Sequence, residues 1–232
     1  AAQAPGGAPD IEVFGVRDAV INAFAMPGGY IGVHTGLIVT SGAEAELAGV
    51  LAHEIAHVTQ RHIARGLTQQ QQSGYLALAA LAASILAALT PGGGQAAMGI
   101  AAFGQAAAIE QQLGFSRDAE QEADRTGFEI LRKAGYDPNG MAVMFGRLMQ
   151  ASNLNEGRGG GVYVTTHPLS ISRMTDMQTR IRQLPVKTYQ ASDEFWFVRA
   201  KARVLQATDP RALVQAVEQL QEETRIDSKS DK

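Results

Sequence analysis

One stretch sets the architecture of this chain: His53-Glu54-Ile55-Ala56-His57. Residues four apart on an α-helix share a face, so His53 and His57 can direct two imidazole nitrogens at one point. Zinc binds histidine nitrogens at about 2.0–2.1 Å, and Glu54 follows about 100° around the helix axis, within reach of a nearby water. The spacing predicts a zinc site with Glu54 as the general base of a hydrolysis reaction.

The residues around this motif predict one long helix. Ser41 and Glu44 match a capping box at its start, apolar residues recur at helical spacing, and Gly66 is expected at its end. On a helix that continues to Gly66, His62 points about 140° away from His57. His62 is therefore expected to be a structural or surface residue.

A catalytic zinc usually takes three protein ligands and leaves one position open, so a third ligand is expected. The chain has no cysteine, which leaves His, Asp or Glu for that role. Glu120 and Asp124 lie four apart on a helix predicted to start at Ser116, and they share a face. One can bind the metal while the other orients a ligand histidine through its free ring N–H. Spacing alone leaves open which of them binds, and ordinary solvated charge is the alternative.

Several segments, taken in order, resemble the M48 family of zinc metallopeptidases. They are Asn22-Ala23-Phe24-Ala25-Met26-Pro27-Gly28-Gly29, Gly36-Leu37-Ile38, His53 to His57, Ser116-Arg117-Asp118-Ala119-Glu120-Gln121-Glu122-Ala123-Asp124, and Thr166-His167-Pro168 with Arg173. The resemblance covers roughly residues 11–185 and is far more specific than any single motif. It implies that one Zn²⁺ per chain is held by His53, His57 and Glu120, which leaves Asp124 to orient a ligand.

His167 and Arg173 belong to the last of these segments. His167 precedes a proline, so it is expected in an extended or turn segment, behind a flexible Gly-rich loop at 156–161. In the functional interpretation both residues approach the zinc and donate to the oxyanion of the tetrahedral intermediate. His167 could instead occupy the open zinc position and hold the enzyme latent. A surface turn without a chemical role is the alternative.

A strand is predicted at Tyr30, Ile31, Gly32 and Val33, after the turn Pro27-Gly28-Gly29. We expect this strand to be an edge on which an extended substrate pairs by backbone hydrogen bonds. The predicted fold is α+β and mainly helical, with a small sheet beside the motif helix. The resemblance implies a zincin-type metallopeptidase.

Residues 66–109 contain no charged side chain. Two apolar, Ala-rich stretches flank the turn Thr90-Pro91-Gly92-Gly93-Gly94, which predicts a helical hairpin over 66–110. Each apolar arm is shorter than the ~20 residues needed to span a bilayer. The hairpin is either a pair of buried helices, or a lid or membrane-surface element beside the active site, with the contact through 75–109.

The chain is expected to divide into a disordered lead-in at 1–10, a peptidase domain at 11–190 and a helical pair at 191–232. The net charge of −3 gives no indication of a nucleic-acid partner. The start lacks methionine and a basic, apolar leader, which is compatible with a removed export signal. The family resemblance is strongest to a soluble periplasmic branch with tetratricopeptide repeats after the peptidase, and the helical pair resembles the start of such repeats.

These features predict a zinc-dependent endopeptidase that hydrolyses peptide bonds in unfolded or misassembled proteins. The resemblance implies a role in envelope quality control, in the periplasm or peripherally at a membrane, with the outer-membrane assembly machinery as a partner. The alternative is a chaperone or docking module that keeps a latent or inactive zinc site. Glu54 favours the enzyme, because metal binding alone does not need a base at that place.

Overall fold

The computed structural model describes residues 10–154, 162–185, 189 and 192–230. Apart from Asp10, the predicted lead-in lies outside these residues, and so does the predicted loop at 156–161. The described part is mostly helical with a small sheet, which confirms the α+β, mainly helical prediction.

Within the described residues the sheet has three strands: β1 (Glu12–Val16), β2 (Ala23–Met26) and β3 (Tyr30–His34). The strand order is β1-β3-β2, with β3 parallel to β1 and antiparallel to β2. The expectation that the strand over residues 30–33 forms an edge is wrong, because β3 is paired on both sides.

The helices follow in chain order: α1 (Thr35–Thr40), α2 (Glu44–Thr59), α3 (His62–Ala88), α4 (Gly94–Lys133), α5 (Asn139–Leu154), α6 (Val162–Thr166), α7 (Ile171–Arg182), α8 (Asp193–Gln206) and α9 (Pro210–Ser230). The motif helix is α2, which packs against α4, α5 and β2. The core lies between these elements and is formed by apolar side chains that include Ile31, Val50, Leu131, Met141, Phe145 and Leu148.

Glycines bring the backbones of these helices close together. A Cβ atom on Gly49 of α2 would lie 2.7 Å from Met141 Cα in α5. On Gly127 of α4, it would lie 3.0 Å from the backbone of Ala52 and from His53 Cα. Both distances are shorter than the 3.5–4.0 Å at which carbon atoms normally touch. The motif helix therefore has little room to shift between its neighbours.

The motif helix ends earlier than predicted. It stops at Thr59, and the chain then turns through Arg61, whose φ of 54° is left-handed. A new helix, α3, begins at His62 and continues past Gly66. Gly66 is therefore not a helix end, and His62 does not follow the geometry of one continuous helix.

Two predicted helix starts are also wrong. The residue before α2 is Ala43, without a side-chain cap, and the Ser41 hydroxyl donates instead to the Leu37 carbonyl at 2.9 Å. Ser116 starts no helix, because α4 runs without interruption from Gly94 to Lys133. The second arm of the hairpin and the helix that carries Glu120 are therefore one element.

The hairpin is formed by α3 and the first part of α4, which pack against each other. The interpretation as two buried helices is wrong, because large apolar side chains are exposed on both arms: Leu78 by 63%, Leu86 by 67% and Phe103 by 76%. Small residues face the partner arm, since a Cβ on Gly104 would lie 2.0 Å from Ala80 Cβ. Among the described residues, α3 is the one helix long and apolar enough to cross a membrane, on length and composition alone.

The C-terminal helices α8 and α9 pack against each other, and α8 packs against α1. Arg199 Nε donates to the Val39 carbonyl at 3.1 Å, and Gln206 Nε2 donates to Thr35 Oγ1 at 3.1 Å. The helical pair is thus attached to the part of the chain that carries the sheet. The domain boundary at residue 190 stays a prediction.

Candidate metal and active site

Four buried side chains converge on one point: His53 and His57 from α2, Glu120 from α4, and His167 directly after α6. Their ligand atoms all lie within 4.8 Å of one another, and each residue is at most 8% exposed. His53 Nε2 lies 3.0 Å from His57 Nε2 and 3.3 Å from Glu120 Oε2. Glu120 Oε1 lies 3.3 Å from His57 Nε2 and 3.1 Å from His167 Nδ1, which is 3.4 Å from His53 Nε2.

These distances fit a metal ion. Four donors held tetrahedrally at 2.0–2.1 Å from a zinc ion would lie about 3.3–3.4 Å from one another. Four of the separations above join one set of ligand atoms, namely His53 Nε2, His57 Nε2, His167 Nδ1 and Glu120 Oε1, and they span 3.0–3.4 Å. Imidazole and carboxylate donors are also the ligand types that zinc accepts. The donor set therefore suits a metal cofactor.

The pKa shifts of His57 and Glu120 favour metal binding, whereas that of His53 opposes it. Burial lowers the pKa of His57 to about 4, so its imidazole is neutral at pH 7. Burial raises the pKa of Glu120, but the three histidines outweigh burial and hold it well below the usual range. Burial lowers the pKa of His53, while the carboxylates of Asp124 and Glu120 raise it, and they leave it at about 9. Metal binding at this site would displace the His53 proton.

Glu54 lies beside the four donors and is completely buried. Its Oε1 accepts from the Tyr163 hydroxyl at 3.4 Å and lies 3.4 Å from His167 Nε2. Its Oε2 has no hydrogen-bond partner among the described residues. Burial raises the pKa of this carboxyl group, which makes it a stronger base than an exposed glutamate. The arrangement offers one free carboxylate oxygen next to the metal-binding atoms.

Asp124 and Arg173 support His53 from behind. Asp124 Oδ1 lies 3.1 Å from His53 Nδ1. Arg173 donates to both oxygens of Asp124, from Nε at 2.6 Å and from Nη2 at 2.7 Å. Its Nη1 donates to the Pro168 carbonyl at 2.6 Å and lies 3.0 Å from Glu120 Oε2. All three guanidinium nitrogens are therefore engaged, and Arg173 lies within the wall of the site.

His57 has a different support, which the sequence analysis missed. His62 is 4% exposed, and its Nδ1 is hydrogen-bonded to His57 Nδ1 at 3.0 Å. Its Nε2 lies 3.2 Å from Glu122 Oε2, and Arg65 Nη1 donates to the same oxygen at 2.8 Å. No sequence signal marked this contact, because it depends on the left-handed turn at Arg61.

Tyr163 is a second residue that the sequence analysis missed. It is fully buried, donates to Glu54 and stacks on His167 with ring centroids 4.6 Å apart. A signal was present, since Tyr163 lies four residues before His167 and a short helix puts both on one face. Burial, with the charge of Glu54 beside it, raises the pKa of the Tyr163 phenol well above its ordinary value, so the hydroxyl keeps its proton.

The site opens into a cleft of about 460 Å³. Phe24 and Ala25 of β2 line it together with Glu54 and His57, and the base of α3 lines another part. The hydrogen bond from His34 N to the Asn22 carbonyl sets the antiparallel pairing, in which alternate residues bond across the ladder. The backbone groups of Ala25 therefore point away from β3. Among the described residues, β2 is the strand that borders the cleft with backbone groups that pair with no other strand.

These features define a zincin-type metallopeptidase. The motif helix carries two histidines with a buried glutamate between them, a later helix supplies an acidic residue, and a sheet edge lies beside the cleft. The sequence matches peptidase family M48 over residues 1–181, and the chain belongs to that family.

Curated relatives carry protease names. The chain is 41% identical over 189 residues to the "putative beta-barrel assembly-enhancing protease" of Vibrio cholerae, a match that covers 81% of this chain and 38% of that protein. It is 38% identical over 194 residues to the "beta-barrel assembly-enhancing protease" of Escherichia coli K12, covering 83% and 38%. It is 33% identical over 157 residues to the "mitochondrial metalloendopeptidase OMA1" of Arabidopsis thaliana, covering 68% and 29%. The chain thus matches well under half the length of these relatives.

Proposed function

We propose that this chain is a zinc-dependent endopeptidase in which His53, His57 and Glu120 hold one Zn²⁺ and Glu54 is the general base. The observation that carries the proposal is the convergence of four buried donors, with ligand atoms within 4.8 Å of one another, beside Glu54 Oε2, which has no hydrogen-bond partner among the described residues. When bound, the metal supplies a Lewis acid that polarises the scissile carbonyl and lowers the pKa of water to about 7. Glu54 accepts the proton of the attacking water and delivers it to the leaving amine.

His167 is proposed to hold this site in a latent state. A catalytic zinc keeps one position open, whereas four protein donors close the tetrahedron. His167 Nδ1 lies at the distance of a fourth donor, 3.1 Å from Glu120 and 3.4 Å from His53. Before substrate can reach the site, His167 has to leave it, and α6 has to move with it or the side chain has to rotate. This position supports the latent role over oxyanion stabilisation.

Arg173 is proposed to act by positioning. Its nitrogens are occupied by Asp124, Glu120 and the Pro168 carbonyl, so none is directed at a substrate in the described state. By holding both carboxylates, Arg173 fixes the third metal ligand and the partner of His53. Bidentate guanidinium–carboxylate pairs provide both energy and fixed geometry for such a role.

The substrate is proposed to be an extended polypeptide that pairs with β2. The N–H and C=O groups of Ala25, which pair with no other described strand, border the cleft that Glu54 also lines, and an added strand would bring its own carbonyls to the metal. This assignment replaces the predicted pairing with the strand over 30–33, which is central in the sheet.

The names of the bacterial relatives support a role in envelope protein quality control, with unfolded or misassembled proteins as substrates and the outer-membrane assembly machinery as a partner. A periplasmic location is proposed on the same basis. The helical pair α8–α9 is proposed to begin a tetratricopeptide-like region.

The apolar hairpin is proposed to contact a membrane surface through residues 75–109. Its small residues face each other and its large apolar residues face outward, an arrangement that suits lipid better than water. Flotation with phosphatidylcholine vesicles tests this. Phe103→Glu should reduce recovery in the lipid fraction, whereas equal recovery of both proteins would contradict the contact.

The second candidate is a docking module, and the closed donor set is the observation that favours it. Zinc content and cleavage of an unfolded protein separate the two functions. We expect about one zinc per chain in wild type, more cleavage by His167→Ala, and a loss of about 10²–10⁴-fold when Glu54→Gln is added to His167→Ala. A zinc-replete His167→Ala protein that cleaves no faster than the double variant would establish the docking module.

A further inference from the structure

His57 has a polar partner on the side of its ring that faces away from the metal donors. Its Nε2 lies 3.0 Å from His53 Nε2 and 3.3 Å from Glu120 Oε1, so this nitrogen is directed at the metal position. Its Nδ1 lies 3.0 Å from His62 Nδ1. His62 Nε2 lies 3.2 Å from Glu122 Oε2, which also accepts from Arg65. The chain of contacts runs from the buried site to a carboxylate that is partly exposed.

These contacts permit a single arrangement of protons when His57 is a metal ligand. The lone pair of His57 Nε2 is then used by the metal, so its proton is on Nδ1. His57 Nδ1–H donates to His62 Nδ1, which must be unprotonated to accept. His62 therefore carries its proton on Nε2 and donates to Glu122. Every donor in this series of hydrogen bonds has an acceptor, and the last acceptor is the carboxylate of Glu122.

The contact between His57 and His62 depends on an unusual backbone conformation. Arg61 has a left-handed φ of 54°, a conformation that non-glycine residues seldom adopt. The turn starts α3 at His62 and brings that side chain back over His57. Glu122 lies in α4, so each of the two helices that form the hairpin, α3 and α4, carries one member of the His62–Glu122 pair. His53 reaches a carboxylate directly through Asp124, whereas His57 reaches one through an imidazole.

We propose that His62 and Glu122 form a positioning relay that fixes the tautomer and ring orientation of His57, and so sets the metal affinity of the site. The inference rests on the proposed metal site. Partners behind metal-bound histidines typically change metal affinity by 10- to 100-fold when they are removed.

Competition with a chelator of known affinity measures the zinc Kd of each variant. His62→Leu should weaken zinc binding by about 10- to 100-fold, and Glu122→Gln by about 10-fold. His62→Asn should stay within about threefold of wild type, because its amide oxygen can take the place of Nδ1 as acceptor. Glu129→Gln is the matched control, since Glu129 lies on the same helix in an exposed pair with Arg132. Its zinc Kd should equal that of wild type.

Two further measurements separate positioning from packing. Thermal unfolding of the metal-free proteins should be similar for His62→Leu and His62→Asn, while ¹⁵N chemical shifts of His57 in the zinc-bound state should report the Nδ1–H tautomer in wild type and His62→Asn. The relay is overturned if His62→Leu binds zinc as tightly as wild type, or if His62→Asn is as weak as His62→Leu. If wild type binds no zinc, or His53→Ala binds it equally well, the metal site fails and the relay with it. If zinc binding requires His53 but the His62 variants keep the zinc Kd of wild type, the metal site stands and the relay alone is refuted.

Discussion

Replacing Gly127 with alanine tests how closely α4 must approach α2 to form the metal site. Glu120, Asp124 and Gly127 follow at helical spacing and share one face of α4. The added Cβ would lie 3.0 Å from the carbonyl carbon and oxygen of Ala52 and from His53 Cα. Since carbon atoms normally touch at 3.5–4.0 Å, the helices would separate by about 0.5–1 Å. No side chain can rotate to relieve this contact, because the neighbours are backbone atoms.

Gly146→Ala provides the matched control for the magnitude. Gly146 lies within α5, and a Cβ there would have nothing within 4 Å. Alanine is favoured over glycine in a helix interior by about 0.5–1 kcal/mol, a gain that both variants share. Overpacking costs about 1–3 kcal/mol and applies to Gly127 alone. Gly146→Ala should therefore be more stable than wild type, and Gly127→Ala should lie about 1–3 kcal/mol below Gly146→Ala.

Urea unfolding with a chelator present measures the free energy of unfolding of both metal-free proteins. Chelator competition then measures the zinc Kd, which should rise by about 10- to 100-fold in Gly127→Ala because the His53–Asp124 and His53–Glu120 distances lengthen. Equal stabilisation by both alanines, together with an unchanged zinc Kd, would refute the close-packing argument.

Three further predictions concern the metal, the buried ion pair and the substrate edge. Chelation should lower the free energy of unfolding by about 2.7 kcal/mol when free zinc was at 100 times its Kd, and an unchanged melting temperature would contradict the site. Asp124→Asn should destabilise the metal-free protein at pH 7 by up to about 3–5 kcal/mol, because the buried Arg173 loses its bidentate carboxylate partner and keeps only one carboxylate contact, with Glu120. Burial raises the pKa of Asp124, but Arg173 and His53 lower it below the ordinary 3.8. The stabilisation by Asp124 is therefore complete above pH 3.8 and should shrink as the pH falls below that value. A difference in the free energy of unfolding between wild type and Asp124→Asn that stays constant from pH 7 to pH 3 in urea unfolding would be inconsistent with this. Ala25→Pro, assayed in the His167→Ala background, should lower kcat/KM by about 2- to 10-fold through loss of one backbone donor, with an unchanged melting temperature, and full activity would exclude pairing at β2.

Local periodicity made the centre of the site readable from the sequence. The spacing of His53 and His57 places both on one helical face whatever surrounds the helix, and Glu120 and Asp124 share a face for the same reason. The mainly helical α+β class followed from the same apolar periodicity, and the structure confirms it. The resemblance to M48 peptidases named the family, and the match over residues 1–181 confirms it.

Tertiary structure alone decided the features that depend on distant pairing. The sheet order places β3 in the centre and leaves β2 beside the cleft, since strand order is set by pairing and not by the pattern within one strand. The exposure of the hairpin could not be read from its composition, because an apolar helix can be buried by protein or directed outward. His62 reaches His57 only because the backbone at Arg61 is left-handed. An arginine in the sequence does not predict that conformation, since residues other than glycine seldom adopt it. Helical spacing depends on neighbours along the chain, whereas these contacts depend on where the whole chain folds back on itself.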